Sequence, residues 1–225
     1  MELIREEFKG SGFYFTENKK LIFGYTETDT TIEIIEEFFN IRKTVQLDQV
    51  HGNKIYFSDA ITDYPDGDGI ILNETGVLAV IRTADCVPLF FWEDSGRYAG
   101  VIHIGWRGLY SKIEINLLKI LKGTGIAVEN ISFYTGPAIE GKCYTVQQDL
   151  VEKFSDFAFK ENIFKNTKEG YAMDVIRGIE LSLIKEGVPK QNIKHSGICT
   201  FCNKNFPSYR RGDREKRIFN FLIRK

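Results

Sequence analysis

Apolar positions crowd into four blocks near the middle of this chain: GIIL (69–72), GVLAVIR (76–82), VPLFFW (87–92) and RYAGVIHI (97–104). Short, nearly unbroken apolar runs bounded by turn formers predict strands covered on both faces, since a strand with one wet face alternates instead. Shorter strand-like runs precede them, GFYF (12–15), LIFGY (21–25), TVQLDQV (44–50) and KIYFSDA (54–60). TTIEIIEEFF (30–39) has helical spacing with Thr30 or Thr31 as N-cap, and SKIEINLLKILKG (111–123) predicts an amphipathic helix capped by Ser111 and stopped by Gly123. NISFYTG (130–136) reads as a strand, and TVQQDLVEKFSDF (145–157) and AMDVIRGIELSLIKEGV (172–188) as helices with apolar faces. NIKHSG (192–197) and RIFNFLIRK (217–225) close the chain as strands. Many strands with a few helices among and after them predict a mixed α/β (α+β) fold with more than one sheet. No repeat, low-complexity tract or linker divides the sequence, so residues 1–225 are expected to form one domain.

Composition narrows the functional classes. The chain has 225 residues, 43% hydrophobic and 27% charged, the balance of a soluble globular protein with a large core. A formal net charge of −1 supplies no field to recruit nucleic acid or an anionic membrane, so neither is an expected partner. The opening MELIREEFKG is charged and lacks the apolar stretch of a secretion signal. Four cysteines in such a setting are expected to be reduced thiols, and the location cytoplasmic.

The chain owns three histidines. His51 ends an alternating run and precedes Gly52, which permits a tight turn. Cys86 lies between two apolar blocks and before Pro88, a residue that interrupts sheet pairing. His103 follows Cys86 by seventeen residues, a spacing that suits a hairpin joining strand ends. His, Cys and His are usual Zn²⁺ ligands, and three of them leave a position open, as in catalytic sites. Single distant ligands carry no local signature, so a hydrogen-bonded histidine and a small buried thiol explain the same residues. CTFC (199–202) is a CxxC without a second pair, which leaves Cys199 as a buried residue and Cys202 as incidental. Cys143 reads as core and His195 as structural. In SYRRGDREKR (208–217) Arg210 and Arg211 follow Tyr209, and planar guanidinium forks suit an anion; Arg107, on the turn after His103, is a third candidate.

QVHG, TADCVP, HIGWRG, TGPAIEGKCYTV and the CT…FPSYRRG segment occur in an order that resembles the YfiH-like family, known both as laccase-domain polyphenol oxidases and as purine nucleoside phosphorylases. The resemblance runs from about residue 45 to the end. It implies a four-layer α/β/β/α fold similar to a bacterial cytotoxin's catalytic domain, and a zinc site on His51, Cys86 and His103, with copper as the alternative ion. It also implies phosphorolysis of adenosine, inosine and methylthioadenosine, together with adenosine deamination, by a monomer or homodimer using a purine nucleoside and phosphate. Members have been tied to editing of peptidoglycan precursors. The family's usual opening is reduced here to LIFGYTETDTT, and Cys202 is not expected from its pattern. Within this reading Asp68 is a candidate proton shuttle, with Asp85 a second that faces away from Cys86 if the strand continues. Arg107, Arg210 and Arg211 would hold phosphate, while Trp106 or Tyr209 packs on base or ribose. The alternatives are a hydrolase or amidase on cell-wall precursors with Cys86 as nucleophile and His103 as its base, polyphenol oxidation with adventitious copper, and a nucleoside-sensing binding protein. Four-copper oxygen reduction needs far more imidazoles than three histidines supply.

Overall fold

Successive side chains of a strand point to opposite faces, and here each face finds its own core. The computed structural model describes residues 2–225. In chain order its elements are β1 (Ile4–Phe8), β2 (Ser11–Glu17), β3 (Leu21–Thr26), α1 (Ile32–Phe38), β4 (Lys43–Val45), β5 (Ile55–Phe57), β6 (Gly69–Leu72) and β7 (Val77–Thr83). There follow β8 (Val87–Glu93), β9 (Ala99–Ile104), α2 (Trp106–Tyr110), α3 (Ile113–Gly123), β10 (Ile131–Thr135), β11 (Thr145–Val146), α4 (Gln148–Lys153) and α5 (Lys160–Ile163). The chain ends with β12 (Phe164–Thr167), β13 (Gly170–Met173), α6 (Val175–Lys185), β14 (Ile193–His195) and β15 (Ile218–Arg224).

One sheet has the order β1-β2-β3-β15-β7-β4 and a second β14-β10-β8-β9-β6-β5, with β11-β13-β12 as a small third. Pairs β4/β7, β5/β6 and β10/β14 are parallel and the others antiparallel, so both large sheets are mixed. Phe23, Tyr25, Ala79 and Leu222 of the first sheet meet Ile70, Phe90 and Val101 of the second. Ile22, Val80 and Phe221, on the other face of the first sheet, pack on Ile35 of α1. Leu89, Phe91, Ile102 and Ile104, on the other face of the second, pack on Leu109, Leu117, Ile163 and Leu183 from the remaining helices. The layers therefore run α/β/β/α, as the family resemblance implies, and the mixed fold with more than one sheet is the one the sequence pattern predicts.

The neighbouring blocks β7 and β8 lie in different sheets, so Ala84, Asp85 and Cys86 cross between them. Asp85 makes the corner with a left-handed φ of 88°, a conformation aspartate tolerates better than most residues. Its carboxylate accepts from Thr200 Oγ1 (2.6 Å) and the Arg210 N–H (2.7 Å), and its carbonyl accepts from the Ile139 N–H (2.9 Å). Pro88 does not interrupt pairing; it lies inside β8 opposite His103. His103 turns its N–H away, to Asp68 O (2.7 Å), while Pro88 O accepts from the Gly136 N–H (3.0 Å), so that pair exchanges no hydrogen bond and the missing N–H costs little.

Several expected elements come out shorter. The run 44–50 is a strand only to Val45, because the Gln49 side chain takes over the pairing: its amide donates to Arg82 O (2.8 Å) and accepts from Arg82 N–H (2.7 Å). KIYFSDA turns into a 3-10 helix at Ser58. Ser111 does not cap the long helix. It ends the five-residue α2, after which Lys112 (φ 60°) redirects the chain into α3. The helix runs through Gly123, and the reversal falls at Gly125 (φ 86°). Thr31 occupies the N-cap position of α1 without a side-chain bond, whereas Thr30 Oγ1 donates to Gly12 O (2.9 Å). Residues 145–157 hold the short β11 before α4, and 172–188 begin in β13 before Asp174 caps α6 by accepting from the Arg177 N–H (2.9 Å). Strands β1, β12 and β13 have no clear sequence signal; in β1 the pattern IREEF is mostly charged and exposed.

Glu114 of α3 is fully buried, and neither carboxyl oxygen has a hydrogen-bond partner among the described residues. Burial pushes its pKa up to about 7. Between its ordinary value and that one, the folded chain holds a proton that the unfolded chain has released. Stability therefore falls as pH rises through this window, by on the order of 3 kcal/mol, and stays lowered above it. Glu114→Gln is expected to flatten this dependence, matching the parent at about pH 5 and melting higher at about pH 8. Thermal melts across that range check it; a parallel pair of pH profiles refutes it.

Candidate metal centre

Three chain segments end at one place. His103 is the penultimate residue of β9, and the β8/β9 register, Val87 opposite Ile104, sets Cys86 beside Gly105. A Cβ on Gly105 would stand 3.0 Å from Cys86 Sγ and 3.2 Å from His51 Cδ2, so any larger residue would press on both side chains. His51 arrives on a left-handed turn (φ 59°) and sets its ring edge-on to that of His103, with centroids 4.7 Å apart. One potential ligand atom from each of His51, Cys86 and His103 lies within 4.8 Å of the other two. A shared tetrahedral ion asks for separations of about 3.5 Å, which falls inside that bound.

Asp68 organises the group from behind. It is fully buried just before β6, and its Oδ1 accepts from His103 Nδ1 (2.8 Å) and the His51 N–H (3.0 Å). Its Oδ2 accepts from the Gly52 N–H (2.6 Å). The left-handed turn at His51 thus aims two successive N–H groups at one carboxylate, and the carboxylate orients His103. Burial opposes the Asp68 charge, but His103 and these N–H groups hold its pKa below the carboxylate range. Burial likewise opposes ionisation of Cys86; His103 and His51 overcome it and bring the thiol down to about 6. Burial disfavours charge on His103, yet Cys86 and Asp68 push it up to about 9. Two nitrogens and one sulfur gathered at one place, with His103 oriented by a buried carboxylate, suit a borderline-soft divalent ion. The residues present fit a bound metal.

The three residues line a cavity of about 650 Å³. Trp106, Arg107, Tyr209 and Arg210, all singled out in the sequence, line it too. Arg107 stacks on Trp106 at 4.3 Å, and Arg210 on Tyr144 at 5.0 Å while donating to Thr145 O (2.8 Å). Arg211 does not join them. Its guanidinium donates to Thr200 O (2.7 Å), Phe201 O (3.1 Å) and Phe206 O (2.5 Å) and pairs with Asp213 (2.6 Å). Asp68 is sealed behind His103 instead of facing the cavity, and Asp85 lines it with its carboxylate engaged. His195 lies on β14, where it bonds Thr135 Oγ1 (3.0 Å).

Sequence reasoning missed Gln49, Arg82, Tyr144 and Arg217 on the cavity wall. Arg82 left a signal, one exposed position in an otherwise buried strand. Among the described residues the side chains of Arg82 and Arg107 make no hydrogen bond or ion pair, which leaves two guanidinium groups free on the wall. No helix of the described residues is long and apolar enough to cross a membrane.

Residues 28–224 match the family described as multi-copper polyphenol oxidoreductase laccase. A purine nucleoside phosphorylase of Rickettsia prowazekii is 31% identical over 203 residues, 88% of this chain and 82% of that protein. A protein named adenosine deaminase, from an unknown prokaryotic organism, is 29% identical over 163 residues, 70% of this chain and 62% of its own length. The crystal structure of YlmD from Geobacillus stearothermophilus aligns with a TM-score of 0.85 at 25% identity, covering 100% of both chains.

Proposed function

The chain belongs to the multi-copper polyphenol oxidoreductase laccase family, and we propose that it works as a zinc-dependent purine nucleoside enzyme, phosphorolysing adenosine, inosine or methylthioadenosine and deaminating adenosine. The observation that carries this reading is the shared cavity, where a His₂Cys ligand set faces free guanidinium groups and aromatic rings. The names of the relatives support it. The copper label in the family description finds little support in the chain, whose three histidines supply two imidazoles to this centre and leave only His195, far too few for a multicopper cluster.

His51, Cys86 and His103 would hold the ion, which when bound supplies Lewis-acid polarisation. Arg107 and Arg210 present planar donors for phosphate oxygens, with Arg82 adding charge at the wall. Trp106, Tyr144 and Tyr209 offer ring faces for a purine, and Trp106 and Tyr144 are already stacked by arginine. In phosphorolysis a phosphate oxygen bonds to the anomeric carbon as the glycosidic bond breaks, its electron pair leaving with the base. The arginines place that oxygen and the rings place the base. Asp68 acts here as a positioning residue for His103, and Arg211 as a brace for the loop bearing Tyr209 and Arg210.

Incubation of the metal-loaded protein with adenosine tests the proposal. Adenine with ribose 1-phosphate is expected only when phosphate is present, and inosine from deamination without it. Release of neither, with bound metal verified, refutes it. A second reading keeps Cys86 as the nucleophile of a hydrolase on cell-wall precursors, favoured by its thiol lying at about 6 beside His103.

A further inference from the structure

The leftover motif CTFC gains a partner in the folded chain. Ala138 N–H donates to Ile198 O (3.2 Å) and Thr200 N–H to Ala138 O (3.1 Å), anchoring the segment before the motif turns. Asn203 N–H then donates back to Cys199 O (2.9 Å), which brings Cys199 and Cys202 to one side of a single turn. Cys143 arrives from the end of the 3-10 turn Gly141–Cys143, with its Sγ 3.5 Å from that of Cys202. All three sulfur atoms lie within 4.8 Å of one another. Cys199 is buried, Cys143 half-buried and Cys202 exposed, so the cluster is anchored on one side and reachable from solvent on the other.

We infer that Cys143, Cys199 and Cys202 form a second metal site, a three-thiolate seat for a zinc-class thiophilic ion whose fourth position faces solvent. Thiolates around tetrahedral zinc stand about 3.8 Å apart, as zinc–sulfur bonds of about 2.3 Å require, and these sulfurs are already gathered at that scale. The Glu140 N–H donates to Cys199 Sγ (3.4 Å), the kind of bond that orients and supports a ligating thiolate. A disulfide would use two of these sulfurs and give the third no role; an ion uses all three. The site braces the cavity wall from outside, because Thr200, between the two cysteines of the motif, donates to Asp85 beside Cys86 and accepts from Arg211. The inference stands apart from the nucleoside reading and survives its failure.

The chain has four cysteines, so Cys86→Ser leaves this cluster as its whole supply of thiols. That variant, stripped with a chelator and kept under a non-thiol reductant, is titrated with Cd²⁺ while sulfur-to-cadmium charge-transfer absorption is followed. One equivalent is expected to saturate the band. Adding Cys202→Ser, at an exposed position that leaves the core intact, is expected to cut the band by about a third and the affinity more than tenfold. Cys143→Ser serves as the second variant with the same expected loss. Absence of a band, a band untouched by Cys202→Ser, or a reductant-free sample with one free thiol and no retained ion overturns the proposal.

Discussion

Cys86→Ser is expected to remove one equivalent of metal from the chain and to depress nucleoside turnover by more than a hundredfold. Zinc held by four protein ligands is worth about 10–16 kcal/mol, so each ligand carries about 3 kcal/mol, and the thiolate is the one soft donor of the three. Serine keeps the volume but not the charge, and Cys86 sits on a crossing segment anchored through Asp85, so the fold is expected to survive. Metal analysis beside a turnover assay checks both parts. The nucleophile reading forecasts something else: activity lost with the ion retained, and Cys86 alkylated by an electrophile in the metal-loaded parent. Peptide mapping of the alkylated chain separates the two, because a thiol committed to an ion is protected.

Asp68 carries the second large effect. Asp68→Ala leaves the part-buried His51 and Gly52 N–H groups and the buried His103 Nδ1 without their acceptor, at about 1–3 kcal/mol for each donor cut off from water. A loss of more than about 3 kcal/mol in denaturant unfolding is therefore expected. Asp68→Asn keeps the shape and one acceptor oxygen, and is expected to fold while binding the ion about 10–100-fold more weakly. If the alanine variant unfolds at the parent's denaturant midpoint, the carboxylate does not hold this centre together.

The four apolar blocks were legible because β6 to β9 are covered on both faces, which leaves unbroken runs. Their partition was not. An apolar run looks the same whichever sheet it joins, so nothing in the sequence showed that the chain changes sheets between Thr83 and Val87. Helix α2 was hidden because five residues are too few for a helical period, and Ser111 imitates an N-cap while ending the helix before it. His51, Cys86 and His103 could be singled out by residue type and the motifs around them. The bond from His103 to Asp68 joins residues 35 positions apart, and only the fold brings them together. Arg210 and Arg211 are adjacent and chemically alike, yet one lines the cavity and the other is spent on backbone carbonyls. Cys143 read as core because a lone thiol usually is; its neighbour Cys202 lies 59 positions away.

Adenosine consumption by the chain stripped of metal and then reloaded bears most directly on the role given to the His51, Cys86 and His103 centre. The stripped chain should be inert towards adenosine with or without phosphate, and zinc should restore turnover in step with measured ion content. Turnover at the loaded rate by a chain verified to be free of metal would place the chemistry elsewhere.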